Sequence, residues 1–232
     1  MTGTIINIIT VTIGSIFGTI LGTRLASRIR KTIVAGLGLF TLGLGIQMFL
    51  KTEDILVVLG SLLIGALLGE WWKIEDGLQS FGGWLEKKFL KGENEEQARF
   101  IKGFLTASLV FCVGPMTILG SIEDGLTGTY KILAVKATLD GFAALAFSSS
   151  LGLGVLFSIV PMLIYQGGIT LLASQVQSVV TASMINEMSA VGGLILMAIA
   201  IGGLLEIKPI RSGNFLPALV IAPVIVALLS LV

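Results

Sequence analysis

Stretches of about twenty apolar residues follow one another along almost the whole of this 232-residue chain, and that feature decides what it can fold into. Runs between charges fall at 2–21, 32–50, 55–71, 100–121, 132–148, 151–172, 188–205 and 215–232. Hydrocarbon offers a backbone amide or carbonyl no partner, so each run must satisfy its own polar groups as a helix. The expected fold is an all-α membrane protein of about eight transmembrane helices, forming a single transmembrane domain over 1–232. The fifth and sixth runs adjoin at Ser148-Ser149-Ser150-Leu151-Gly152 with no charged loop between them, so seven spans is the alternative.

Composition narrows the function. Hydrophobic residues make up 54% of the chain and charged ones 12%, against about half and a quarter in soluble domains, so lipid is the solvent and the first partner. A net charge of +1, with basic residues confined to short loops, argues against a nucleic-acid partner. The single cysteine, Cys112, excludes an internal disulfide, and the absence of histidine removes the usual zinc, haem and imidazole-relay ligands. No cofactor is expected. Ser148–Ser150 have no neighbouring general base and no phosphate loop occurs, so the chain does not read as an enzyme. Before the first run there is no basic residue and after it comes Arg24, the reverse of a secretory signal, which makes it a retained helix.

Charge in the loops gives orientation. Arg24, Arg28, Arg30 and Lys31 crowd the first loop, and Lys73, Lys87, Lys88, Lys91, Arg99 and Lys102 the third. Only Lys51 follows the second run and only Lys131 the fourth, while Lys208 and Arg211 return after the seventh. The positive-inside rule places the crowded loops in the cytoplasm and, with eight spans, both termini outside. The third loop, about 72–98, carries Trp72, Leu78, Phe81, Leu85 and Phe89 at near-helical spacing among charges, the pattern of an interfacial amphipathic helix. Trp71, Trp72 and Trp84 suit the headgroup zone.

Three pairs of stretches resemble one another in the same order. Gly18-Thr19-Ile20-Leu21-Gly22 matches Met116-Thr117-Ile118-Leu119-Gly120, the glycine-rich 36–45 matches 141–154, and 64–70 matches 201–206. Repeat units at 1–72 and 100–206, each of three helices, would enter the membrane from opposite sides as an inverted repeat, although apolar low-complexity sequence also produces such matches. The thirty glycines include Gly14, Gly18 and Gly22, and Gly65 and Gly69, at the four-residue spacing that brings helix backbones together, within one chain or in a homo-oligomer.

Two features point beyond packing. Gly114-Pro115 lies inside the fourth run, where proline removes a backbone donor and glycine permits a break. A discontinuous helix with Pro115 at the first position of its second half is expected there, a simple kink being the alternative. Pro161 and Tyr165-Gln166-Gly167-Gly168 give the sixth run a comparable weak point. Asp140 falls near the middle of the fifth run with Lys136 one turn earlier on the same face. A charge at a helix centre costs at least about 2.5 kcal/mol even on insertion scales, so the two should face the bundle interior as a pair. Glu70, Glu123, Asp124, Glu187 and Glu206 read as solvated span ends, with an acidic outer mouth at Glu123 and Asp124 as the alternative, and Asn7, Gln47 and Gln166 as interhelical hydrogen-bonding groups.

The motifs Gly114-Pro115-Met116-Thr117-Ile118-Leu119-Gly120-Ser121-Ile122-Glu123-Asp124-Gly125, Lys136-Ala137-Thr138-Leu139-Asp140-Gly141-Phe142 and Tyr165-Gln166-Gly167, with Gly3-Thr4-Ile5-Ile6-Asn7, resemble the YqgA/YdfK-type family of bacterial inner-membrane proteins over nearly the whole chain. That resemblance implies a multi-pass protein of the bacterial inner membrane and a domain of unknown function; it supplies no substrate. From the residues, the expected function is a small transporter or ion-conducting protein for a small ion or molecule, its path passing Asp140, Lys136, Gly114, Pro115 and Gln166 with Glu123 and Asp124 at the entrance. The alternative is a structural or sensory bundle in which Lys136 and Asp140 form a structural pair.

Overall fold

The computed structural model describes residues 1–89 and 94–230, so Lys91 lies outside it, and the Phe89 side chain is likewise not described. The described residues are helical: α1 (Thr2–Thr23), α2 (Ser27–Phe49), α3 (Ile55–Trp72), α4 (Ile74–Phe89), α5 (Asn94–Cys112), α6 (Pro115–Thr127), α7 (Lys131–Leu151), a 3-10 stretch (Gly152–Ser158), α8 (Ile159–Leu171), α9 (Ala173–Val179), α10 (Ala182–Ile199) with a π turn (Ala200–Leu204), a 3-10 turn (Ser212–Phe215) and α11 (Ala218–Leu229). Six helices are long and apolar enough to cross a membrane, and a seventh span forms if the pair α5–α6, bent by 59° at its break, counts as one.

One of the six, 131–171, folds back on itself. Asp140 and Gln166 both accept from the Asn7 amide nitrogen, which holds their side chains within about 6 Å. In a straight helix 26 residues would separate them by about 39 Å. The reversal lies at Gly152, whose φ of 79° and ψ of −158° only glycine adopts without strain. Neighbouring Ser148–Leu151 remain helical. In α8, Pro161 falls in the first turn and the helix runs unbroken through Gly167-Gly168, so no break occurs at the weak point expected there; the irregular backbone lies just before it, in the 3-10 stretch.

The chain forms two compact units, unit 1 from Met1–Leu37 and Gln79–Ser178, unit 2 from Gly38–Leu78 and Val179–Val232. In unit 1, α1 and α7 run parallel in backbone contact. A Cβ added at Gly14, Gly18 or Gly22 would collide with the carbonyl oxygen of Gly141, Leu145 or Ser149 respectively. The four-residue glycine spacing thus makes a seam between backbones. α6 and α8 run antiparallel to α1, with Asp124 beside Gly3 and Gln166 beside Thr4. At the opposite end Arg30 Nη2 donates to the Gly22 carbonyl at 2.8 Å, and the Arg99 guanidinium lies beside Gly152. Leu85 of α4 packs on Phe100 and Phe104, while Phe81 stacks on Trp84 at 5.9 Å beneath Lys88.

In unit 2, Gly65 and Gly69 of α3 bring its backbone against Ala218 and Asn214, and Gly45 of α2 meets Gly193 of α10. Asp54 caps α3 by accepting from the Leu56 amide at 2.9 Å. α10 begins at Ala182, earlier than the apolar run, which moves Glu187 from a solvated end into the helix. Glu187 is 1% exposed; its carboxylate accepts from the Glu53 and Asp54 amides at 2.6 and 2.9 Å and from the Thr52 hydroxyl at 2.7 Å, clamping the α2–α3 loop. Glu70 instead stays at the surface, paired with Arg211, which also binds Asp76. The hydrogen bond that Arg211 donates to Asp76, with smaller contributions from the charges of Asp76, Glu70 and Glu75, raises the Arg211 pKa against burial. The three pairs of similar stretches fall on α1 and α6, α2 and α7, and α3 and the π turn.

Candidate functional site

Unit 1 encloses a hydrogen-bonded network that joins the first two turns of α1 to the middle of α7 and the second half of α8. Asp140 is the tenth of 21 residues in α7, and its carboxylate pairs with Lys136 one turn earlier, both side chains facing inward while Val135, Leu139 and Phe142 face outward. From α1, Asn7 donates to Asp140 Oδ2 at 3.0 Å and to Gln166 Oε1 of α8 at 3.1 Å. That double donation fixes the orientation of the amide, because the flipped form would set its oxygen against two acceptors. Gln166 Nε2 donates to the Thr4 hydroxyl at 3.2 Å, and Thr4 lies 3.4 Å from the Thr170 hydroxyl. Asn7 and Gln166 are fully buried, yet Asn7 Oδ1 has no hydrogen-bond partner among the described residues.

The helix break stands at the same depth. Leu133 packs against both Gly3 and Gly120. From that level, six residues back along α6 to Gly114 and seven on along α7 to Asp140 each descend roughly 10 Å. Gly114 is extended and caps α6, with Pro115 at its first position. Pro115 cannot donate to the Phe111 carbonyl, which instead accepts from the Thr117 hydroxyl at 3.2 Å. Space is open beside Gly114, where an added Cβ would meet nothing within 4 Å. Cys112, the last residue of α5, is close enough to Lys136 and Asp140 to interact with them electrostatically.

Asp124 and Glu123 lie at the end of the network nearest Gly3. Asp124 is 3% exposed, so it is not part of an open acidic mouth; its Oδ2 accepts from the Gly3 amide at 3.0 Å and lies 3.0 Å from the chain's amino group. Its burial goes with Gly125, whose missing side chain lets Thr170 of α8 close on that end of α6. Glu123 is half-buried, with Oε2 unpartnered among the described residues. Gln47 is exposed on α2 in unit 2 and takes no part in the network.

The family model for a protein of unknown function, DUF554, matches residues 2–227. This chain belongs to the DUF554 family. It is similar to the Uncharacterized protein YqgA of Escherichia coli strain K12, 33% identical over 221 residues that cover 95% of this chain and 94% of the relative. It is also similar to the Uncharacterized membrane protein YdfK of Bacillus subtilis strain 168, 30% identical over 230 residues covering 97% and 96%. No solved structure matches. In this DUF554 protein the structure unites Asp140, Lys136 and Gln166 in one network, with Gly114 and Pro115 at its depth and Asp124 at its end. Sequence reasoning missed Thr4 and Thr170, although each lies three or four residues from a polar group it did single out, Asn7 and Gln166.

Proposed function

We propose that this membrane protein is a small transporter or ion-conducting protein whose path runs along the polar interior of unit 1. The observation that carries the reading is the Lys136–Asp140 pair at mid-helix, tied through Asn7 to Gln166 on a third element and level with the open space at Gly114. Ionisable groups so deep are expensive, and in transporters they face the path of the substrate. Arg30 and Arg99 gather at one end of unit 1 and Asp124 at the other, which supports an inner-membrane orientation with the Asp124 end and the amino terminus outside; with eight spans the carboxyl terminus is outside as well. On this reading the protein is no enzyme, its substrate is a small ion or molecule, and exposed glycine-containing faces serve a homo-oligomer.

A scaffold reading draws on another observation: Lys136 and Asp140 are only 5% and 8% exposed and bind each other directly. The two readings part on Asp140→Asn. Transport requires that the variant fold, insert and lose solute-driven current in proteoliposomes. A structural pair requires that the assembled protein itself be lost, because Lys136 is then buried without its counter-charge.

A further inference from the structure

Three stripes of side chains at helical spacing face the interior of unit 1. On α1 they are Thr4, Asn7, Val11 and Ser15; on α7, Lys136, Asp140, Ala144 and Ser148; on the leg ending in α8, read toward Gly152, Thr170, Gln166, Met162 and Ser158. All twelve are buried. Each stripe reads polar, apolar, then serine. Since α1 pairs antiparallel with α8 and parallel with α7, the order is the same in space: the Asp140 network, then Val11, Ala144 and Met162 at 0% exposure, then three hydroxyls.

These three hydroxyls lack the usual partner of a helical serine. A buried serine in a helix ordinarily bonds back to a carbonyl of the preceding turn. Ser61, Ser108 and Ser189 all do so, at 2.6 Å. Ser15, Ser148 and Ser158 do not, nor do Ser121 on α6 and Ser150 on α7, and none of these oxygens has a partner among the described residues although the residues are at most 2% exposed. Three such groups on three elements call for something between them to bond, and ordered water is the ordinary occupant. A neutral hydroxyl set holds a bare metal cation weakly but both accepts and donates, which is what a proton relay requires.

Resting on the transport reading, we propose that Ser15, Ser148 and Ser158 hold a water-mediated proton relay, that Val11, Ala144 and Met162 form an apolar gate between it and Asp140, and that the ion carried is a proton. When the gate wets, an O–H bond of a hydronium in the water chain breaks and one forms on the Asp140 carboxylate, leaving water behind. Lys136 loses its anionic partner at that moment. The other titratable groups facing this region are Cys112 on α5 and Tyr165 beside it on α8; Asp124 and Glu123 of α6 lie at the far end of the network, and α1 presents none but the amino group at its start.

The full chain, reconstituted in phosphatidylethanolamine–phosphatidylglycerol vesicles with pyranine inside and a potassium diffusion potential across the membrane, tests this. Val11→Ser and the milder Ala144→Ser should each raise proton entry about tenfold over wild type by easing wetting of the gate. Adding Ser15→Ala with Ser158→Ala should return it toward the wild-type rate. Proton entry unchanged in both gate variants, with helical content and gel-filtration profile intact, overturns the relay. A sodium current rising at constant pH in place of proton entry overturns the choice of ion. If the wild type still carries solute currents that Asp140→Asn abolishes, the transport reading survives either result; if no form passes charge, both fall.

Discussion

The Thr117 hydroxyl donates to the Phe111 carbonyl, the acceptor that Pro115 deprives of its helical amide. The bond lets the chain bend by 59° inside an apolar span without leaving that carbonyl bare. Thr117→Val keeps shape and removes the donor. It should lower stability by about 1–2 kcal/mol, read as a fall in the thermal unfolding midpoint in detergent, whereas Thr117→Ser stays near wild type. Equal midpoints for the valine and serine variants would mean the hydroxyl does not hold the break.

Gly18 and Gly36 make opposite predictions for one added methyl. At Gly18 the methyl strikes the Leu145 carbonyl across the α1–α7 seam, while at Gly36 it meets nothing within 4 Å. Gly18→Ala should cost about 1–3 kcal/mol. Gly36→Ala, in α2, should be neutral or gain up to about 1 kcal/mol from helix propensity. Unfolding midpoints of the two variants measured side by side check both signs.

Asn7 couples two helices through a single nitrogen, so its effect and that of Gln166 should not add. In a double-mutant cycle of Asn7→Ala and Gln166→Ala the coupling should be about 0.6 kcal/mol or more, the scale of interhelical hydrogen bonds in membranes. Additive losses would show the two side chains to be independent.

The helical membrane fold was legible in the sequence because lipid forces every long apolar run into a helix, and the break was legible because proline cannot donate. Asp140, Lys136 and Gln166 stood out because polar groups inside such runs are rare. Which of them meet was not legible: Asn7 and Gln166 are 159 residues apart in sequence, and Gln47, equally polar, faces outward. Hydropathy also misplaced Glu187, because a helix start set by the Thr181 cap precedes the apolar run by several residues. The serine layer escaped notice since hydroxyls that bond their own helix and hydroxyls that face the interior look the same in sequence.

Glu53 gives a pH signature in unit 2. The Asn186 amide donates to its carboxylate at 2.7 Å, and that bond, with a second from Ser183, holds the pKa below the usual glutamate range against a smaller opposing effect of burial. A depressed carboxylate stabilises the fold above its unfolded pKa and loses that contribution as pH falls through the folded value. The midpoint of wild type should therefore exceed that of Asn186→Ala at pH 7, and the gap should narrow on acidification below about pH 4.5. A gap that widens with acid would contradict the assignment.

The central claim, that Asp140 lies on a transport path, is tested most directly by charge movement on solid-supported membranes. Proteoliposomes of wild type and Asp140→Asn would be exposed to rapid jumps of protons, monovalent cations, anions and amino acids, with each variant's insertion checked beforehand. The account predicts a wild-type transient for at least one solute and its loss in an Asp140→Asn protein that inserts at the wild-type level. Equal transients in both proteins, or silence from a well-inserted wild type across the whole panel, would contradict it.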